Sequence, residues 1–176
     1  KIKRILVIAA YKKDKGYFDL LKVAEMLKNN KIKIECYGYG NNNIFQSLKI
    51  KKKLKNIFFK KFDKNLKNKI KNYDLLLHLS KREGLPVAVM ESLAEALPVI
   101  CYDIRGNNDL IKHQYNGIFI NSYKEVADKI FYLCLDDNFF NKMRFNAFKS
   151  INKSFLRKET NINIYNILND NFKNIR

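Results

Sequence analysis

The chain has 176 residues, 47% of them hydrophobic, with 13 Phe and 10 Tyr. That suits one domain with a buried core and excludes intrinsic disorder. The formal net charge is +18, while three cysteines and two histidines lie too far apart for a metal-ligand spacing.

Ile5 to Ala10 is a continuous apolar run of strand length, and Tyr17 to Leu27 carries Phe18, Leu21, Ala24 and Leu27 at helical spacing. Ile32 to Tyr37 is rich in β-formers and closes on Gly38-Tyr39-Gly40. Ile44 to Leu54 reads as a basic, weakly amphipathic helix, Ile57 to Phe59 as a short strand and Leu66 to Asn72 as a short helix. A strand at Leu75 to Leu79 precedes a helix over Pro86 to Ala96, and Val99 to Tyr102 and Ile118 to Ile120 are the last strands. From Ser122 the pattern is helical, with Val126, Ile130 and Leu133 on one face, then Phe139 to Ile151 and Asn161 to Phe172.

Strands separated by helices imply an α/β fold. Runs without polar alternation imply parallel strands buried on both faces. The expected architecture is a doubly wound, Rossmann-like sheet of about six strands flanked by helices. Its α/β core covers residues 1–121 and a helical tail covers 122–176. Ligands in such sheets bind beyond the carboxyl ends of the strands. The loops there hold Lys15-Gly16, Gly38-Tyr39-Gly40, Glu83-Gly84 and Arg105-Gly106.

The charge has two accounts. Lys, Asn and Ile are abundant throughout and Arg is scarce, so lysine can simply occupy every solvated face. Attraction to an anionic membrane surface is the second, with Lys49 to Lys55 and Lys60 to Lys71 as candidates. Nucleic acid is not expected as a partner, because no stacking-aromatic motif or groove-reading helix is evident. The longest apolar runs are far too short to span a bilayer. No signal peptide is visible. The chain begins at Lys1, which suggests a piece of a longer protein. Cys36 and Cys101 fall in or at the ends of apolar strands and read as buried free thiols. Cys134 and His113 stand alone, and His78 reads as a core or strand-end residue rather than a ligand.

The chemistry concentrates between Lys81 and Glu91. Glu83 and Glu91 flank a Gly-Leu-Pro turn and the start of an apolar helix. A helix N-terminus offers unpaired N–H groups and partial positive charge to a phosphate. Pro86 suits the first helical turn, where its missing N–H costs nothing. Carboxylates beside that terminus accept hydrogen bonds from sugar hydroxyls. Glu91 can lean back toward the mouth because helical side chains tilt N-terminally. A sugar joined to a phosphate suits these groups, and a nucleotide sugar offers both. The competing reading keeps both glutamates as solvent-facing charges.

Ser80 to Pro86, Met90-Glu-Ser-Leu-Ala, Leu97-Pro-Val-Ile, Asp103-Ile-Arg-Gly-Asn-Asn-Asp and Asn116-Gly-Ile together resemble the C-terminal domain of family 4 glycosyltransferases of the GT-B fold. Glu83 and Glu91 match that family's E-x7-E motif. The run from Cys101 to Ile111 looks like that of bacterial capsular and exopolysaccharide members. The resemblance implies that Glu83 contacts donor-sugar hydroxyls and Glu91 holds the ribose. It implies that backbone N–H groups of Gly84, Leu85 and Val87 face the β-phosphate and sugar. Lys15 matches the lysine that grips the diphosphate, and a mobile cation there can neutralise a leaving diphosphate without a metal. Glu83 and Lys15 are thus the catalytic candidates. Gly16, Gly38, Arg82, Arg105 and Gly106 complete the donor-binding set. Arg105-Gly106-Asn107 reads as a glycine turn opening a short helix, which either approaches the donor or caps that helix.

Two departures stand out. Ala9-Ala10 occupies the place of the family's Gly-Arg pair, so one diphosphate-binding cation is missing, and Lys12, Lys13 or Arg82 would have to compensate. Ala96 stands where glycine is common, which reads as a minor packing matter. The resemblance implies one half of a GT-B enzyme that transfers sugar, with retention, from a nucleoside-diphosphate sugar. UDP is the expected nucleotide, with no cofactor and no metal. The acceptor is expected to be a lipid-linked saccharide in cell-surface polysaccharide synthesis, bound by an N-terminal domain that this chain lacks. The isolated domain is then inactive or nearly so. A cytoplasmic enzyme, peripheral at the inner face of the cytoplasmic membrane, is the expected location. The alternatives are a non-catalytic nucleotide-sugar-binding module and a basic nucleic-acid-binding protein.

Overall fold

Continuous apolar runs become strands here because both faces of the sheet are covered. The computed structural model describes residues 2–151. The helix expected at Asn161 to Phe172 lies outside the described residues. Six strands, β1 (Arg4–Ile8), β2 (Lys33–Gly38), β3 (Ile57–Lys61), β4 (Leu75–His78), β5 (Val99–Tyr102) and β6 (Gly117–Ile120), form one sheet in the order β3-β2-β1-β4-β5-β6. All neighbours are parallel. Strand order reverses at β1, which pairs with β2 through Ile5 opposite Ile34 and with β4 through Ile5 opposite Leu75. The connections after β1 and β4 therefore leave in opposite directions and open a crevice between them, the usual ligand position in such sheets.

Alternation along each strand feeds two cores. Ile5, Val7, Leu75, Leu77 and Ile100 face helices α1 (Tyr17–Met26), α2 (Asn43–Lys51) and α4 (Val126–Leu135). Leu6, Leu76, Val99 and Cys101 face α3 (Val87–Ala94), the end of α5 (Asp137–Ser150) and a 3-10 helix over Leu66–Asn72. Cys36 and Cys101 are buried free thiols, and Cys134 is half-buried.

Three local expectations are corrected. Pro86 sits one residue before the helix as its N-cap, with extended backbone, and α3 starts at Val87. Asp103 to Asn116 forms hydrogen-bonded turns, so no helix follows Arg105-Gly106. The Asn107 amide donates to the Tyr102 carbonyl at 2.9 Å and fixes that turn. Ala96 is more than a packing detail, because its φ is 56°, in the left-handed region just past the end of α3. Glycine is favoured there because it has no Cβ to clash.

Candidate functional site

At the mouth of the crevice between β1 and β4, glycines let backbones touch. Lys15 ends a short 3-10 helix, and Gly16 follows with φ 78° as the N-cap of α1. A Cβ on Gly16 would stand 2.0 Å from the Leu79 carbonyl oxygen. The Lys81 N–H also donates to the Asp14 carbonyl at 3.1 Å. These contacts pin the loop after β1 to the loop after β4. Gly106, with φ 87°, does the same for the loop after β5, since its Cβ would meet the Gly84 carbonyl oxygen at 2.5 Å.

Pinned in this way, Lys15 and Glu83 meet. Lys15 Nζ lies 2.8 Å from Glu83 Oε1 and 3.5 Å from the Arg82 carbonyl oxygen. His78, the last residue of β4, is 4% exposed, and its Nε2 lies 3.3 Å from the same Glu83 oxygen. This is an ion-pair separation, but the ring N–H is not aligned, and Nε2 has no hydrogen-bond partner among the described residues. The His78 imidazole, and after it the Lys15 ammonium, pull the Glu83 carboxyl down to about 2 against the opposing effect of burial. Glu83 is therefore an anion held between two nitrogen groups.

Beyond Glu83, Gly84 and Leu85 are exposed, and a Cβ on Gly84 would meet only open space. No side chain caps the N-terminus of α3, and Val87 in its first turn is 56% exposed. Glu91 lies in the second turn, where its Oε1 is 2.9 Å from Lys67 Nζ. Glu83 and Glu91 are thus held by different lysines, from the connections after β1 and after β3.

The remaining expected residues are placed less centrally. Arg82 and Arg105 have exposed side chains. Gly38 is buried at the end of β2, where a Cβ would stand 2.0 Å from the Ala9 carbonyl oxygen, so its lack of a side chain serves packing. The same carbonyl accepts a hydrogen bond from the Tyr17 hydroxyl at 2.7 Å. No group of three His, Cys, Asp or Glu suited to a metal occurs among the described residues. No helix among them is long and apolar enough to cross a membrane. His78 is a buried strand-end residue, as expected, but its approach to Glu83 was not foreseen from the sequence. Its one signal was its position two residues before the Ser80 to Pro86 loop.

Known proteins share this arrangement of elements. The chain is 29% identical over 125 residues to a poly(ribitol-phosphate) alpha-N-acetylglucosaminyltransferase of Staphylococcus aureus, covering 67% of this chain and 25% of that protein. It is 31% identical over 100 residues to a UDP-Gal:alpha-D-GlcNAc-diphosphoundecaprenol alpha-1,3-galactosyltransferase of Escherichia coli, covering 51% and 26%. The chain thus spans about a quarter of the length of the curated relatives it matches. A crystal structure of a mutant of S. aureus TarM in complex with fondaparinux, alpha-GlcNAc-glycerol and UDP superimposes with a TM-score of 0.80 at 25% identity, covering 95% of this chain and 35% of that one. The family model of glycosyl transferases group 1 matches residues 1–150, and the chain belongs to that family.

Proposed function

We propose that this chain is the donor-binding half of a retaining, family 4 glycosyltransferase that takes a UDP-sugar. The observation that carries this reading is the meeting of Lys15 and Glu83 at the reversal of strand order, 2.8 Å apart. A cation and a carboxylate at one spot suit a ligand that has a diphosphate next to a sugar. Two comparisons support the choice of nucleotide, since one relative is named for UDP-Gal and one similar structure holds UDP.

In this reading Lys15 leaves Glu83 and turns its ammonium onto the diphosphate, countering the charge that develops as the sugar departs. Glu83, kept ionised by His78, accepts hydrogen bonds from the sugar hydroxyls. The open backbone at Gly84 and Leu85 and the uncapped start of α3 face the β-phosphate. Glu91 exchanges Lys67 for the ribose diol. Donor and lysine suffice in this scheme, and no cofactor or metal takes part. An N-terminal domain supplies the acceptor face, with a lipid-linked saccharide of a capsular type as acceptor, at the inner face of the cytoplasmic membrane.

A panel of UDP-, GDP- and ADP-sugars read by thermal shift tests the donor reading, since a ligand specific to the native state raises stability by mass action. A rise with UDP-sugars alone is the expected result, and no rise with any nucleotide sugar would refute it. A second reading has one specific support. Ala10 stands where the family's diphosphate-binding arginine is expected. A non-catalytic nucleotide-sugar-binding module would show the same thermal shift but no transfer in the full-length protein.

A further inference from the structure

A second cleft lies on the α1 face of the sheet, beyond the ends of β5 and β6. Its volume is about 470 Å³, and Asp19, Lys81, Tyr102, Asp103, Asn121 and Tyr123 contribute to its walls. That volume falls within the range of about 300–1,000 Å³ usual for small-molecule sites. We infer that this cleft is a subsite for a neutral saccharide, the non-reacting part of the acceptor glycan. The acceptor role, though not the binding site itself, rests on the glycosyltransferase reading above.

The lining defines the ligand chemistry. Asp19 is 8% exposed and fixed from three sides. Tyr102 Oη donates to Oδ2 at 3.3 Å, Lys81 Nζ lies 3.2 Å from Oδ2, and Lys22 Nζ lies 3.6 Å from Oδ1. Asp19 is thus shared by two lysines, and the exposed Asp103 carboxylate brings the four charged groups to a net charge of zero. A charged ligand of either sign finds no unpaired counter-charge here and gains no net attraction. An apolar ligand would have to strip water from two carboxylates and the Asn121 amide. A polyhydroxylated neutral ligand avoids that cost, because its hydroxyls donate to the carboxylates and its C–H faces lie against tyrosine rings. Tyr102 and Tyr123 line the cleft, although Lys22 Nζ already covers one face of the Tyr123 ring, 4.5 Å from its centroid.

Position ties the cleft to the donor site. Lys81 is two residues before Glu83, and Asp103 is three before Gly106, whose backbone abuts Glu83 and Gly84. The cleft thus shares its loops with Glu83 and Gly106. Glu91, on α3, belongs to the opposite face of the sheet, so the cleft adjoins the sugar end of the donor rather than its nucleoside.

Saturation-transfer NMR on the chain tests the assignment, with lactose and N,N′-diacetylchitobiose as probes, alone and with saturating UDP. Binding of at least one disaccharide that persists with UDP present is the expected result. Asp103→Ala and Asn121→Ala change exposed side chains. Each should weaken disaccharide binding, Asp103→Ala by about tenfold as a charge-assisted acceptor is lost, while UDP affinity stays within about twofold. Three outcomes would overturn the subsite: no binding of either disaccharide, abolition of binding by UDP, or wild-type binding in both variants. Failure to bind UDP, with disaccharide binding and its variant response intact, would overturn the donor reading and sustain the cleft.

Discussion

Lys15 Nζ sits 2.8 Å from Glu83 Oε1, although the two residues lie in different loops on either side of the sheet's reversal point. The pairing exists because Gly16 lacks the Cβ that would strike Leu79. It also means that the cation facing the crevice is occupied before any ligand arrives. Lys15→Ala should weaken UDP more than uridine, because the lost charge faces phosphate. Loss of one charge-assisted contact corresponds to about 1.5–3 kcal/mol, or roughly tenfold or more in UDP affinity. Calorimetry that shows equal weakening of UDP and uridine would put Lys15 outside the diphosphate site.

Glu83 makes stability depend on pH in a defined window. Its carboxyl is held at about 2, against an ordinary value of 4.5. A depressed carboxylate stabilises the fold fully above its unfolded value and loses that contribution as pH falls from about 4.5 toward 2. Wild type and Glu83→Gln should therefore converge in stability over that interval. In His78→Ala the Glu83 carboxyl should titrate at a higher pH, seen in its side-chain carbon resonance. A wild-type midpoint near 4.5 in that spectrum would contradict the geometry.

Gly106 tests how far loop contact shapes the site. Gly106→Ala forces a Cβ to 2.5 Å from the Gly84 carbonyl oxygen at a φ of 87°. The loop that carries Glu83 must then shift. A loss of about 1–3 kcal/mol is expected from the left-handed backbone alone, together with weaker UDP binding. Chemical denaturation with an unchanged midpoint would show that the two loops do not press on each other.

The lysines give a fourth prediction. Lys51, Lys52, Lys53 and Lys55 end or follow α2, and Lys60, Lys61, Lys64, Lys67, Lys69 and Lys71 end or follow β3, all exposed. Lys52, Lys60, Lys67 and Lys69 pair with Glu25, Glu35, Glu91 and Asp63. The others are candidates for an anionic surface, each worth about 1 kcal/mol near the membrane and screened by salt. Vesicle sedimentation should show binding that needs anionic lipid and fades as salt is added. Equal sedimentation with neutral and anionic vesicles at low salt would remove this face from any membrane role.

The central strands were legible in the sequence because strands buried on both faces read as unbroken apolar runs, Ile5 to Ala10 and Leu75 to Leu79 above all, whereas edge strand β3, with Phe58, Lys60 and Lys61 exposed, showed only a short run. Glycine marked the loops correctly, but its reason at each position was not local. Gly16 and Gly106 answer to Leu79 and Gly84, residues that no pattern places beside them. The strand order was equally hidden, since periodicity does not say that β1 lies between β2 and β4. His78 looked like core because its neighbours are leucines. Only the end of β4 and the turn that follows bring its ring to Glu83. The helix expected after Arg105 gave way to turns fixed by the Asn107 amide, a side-chain bond that local propensity does not report.

In the proposed function a UDP-sugar lies across the crevice from Lys15 to Glu91. The most direct measurement is calorimetric titration of UDP into the chain and into Glu91→Ala, with circular dichroism to verify the fold. Glu91 is paired with Lys67 on the surface, so its removal should leave the fold intact. Affinity should fall by roughly tenfold or more as the ribose loses a charge-assisted acceptor. Unchanged UDP affinity in a folded Glu91→Ala variant would contradict that placement.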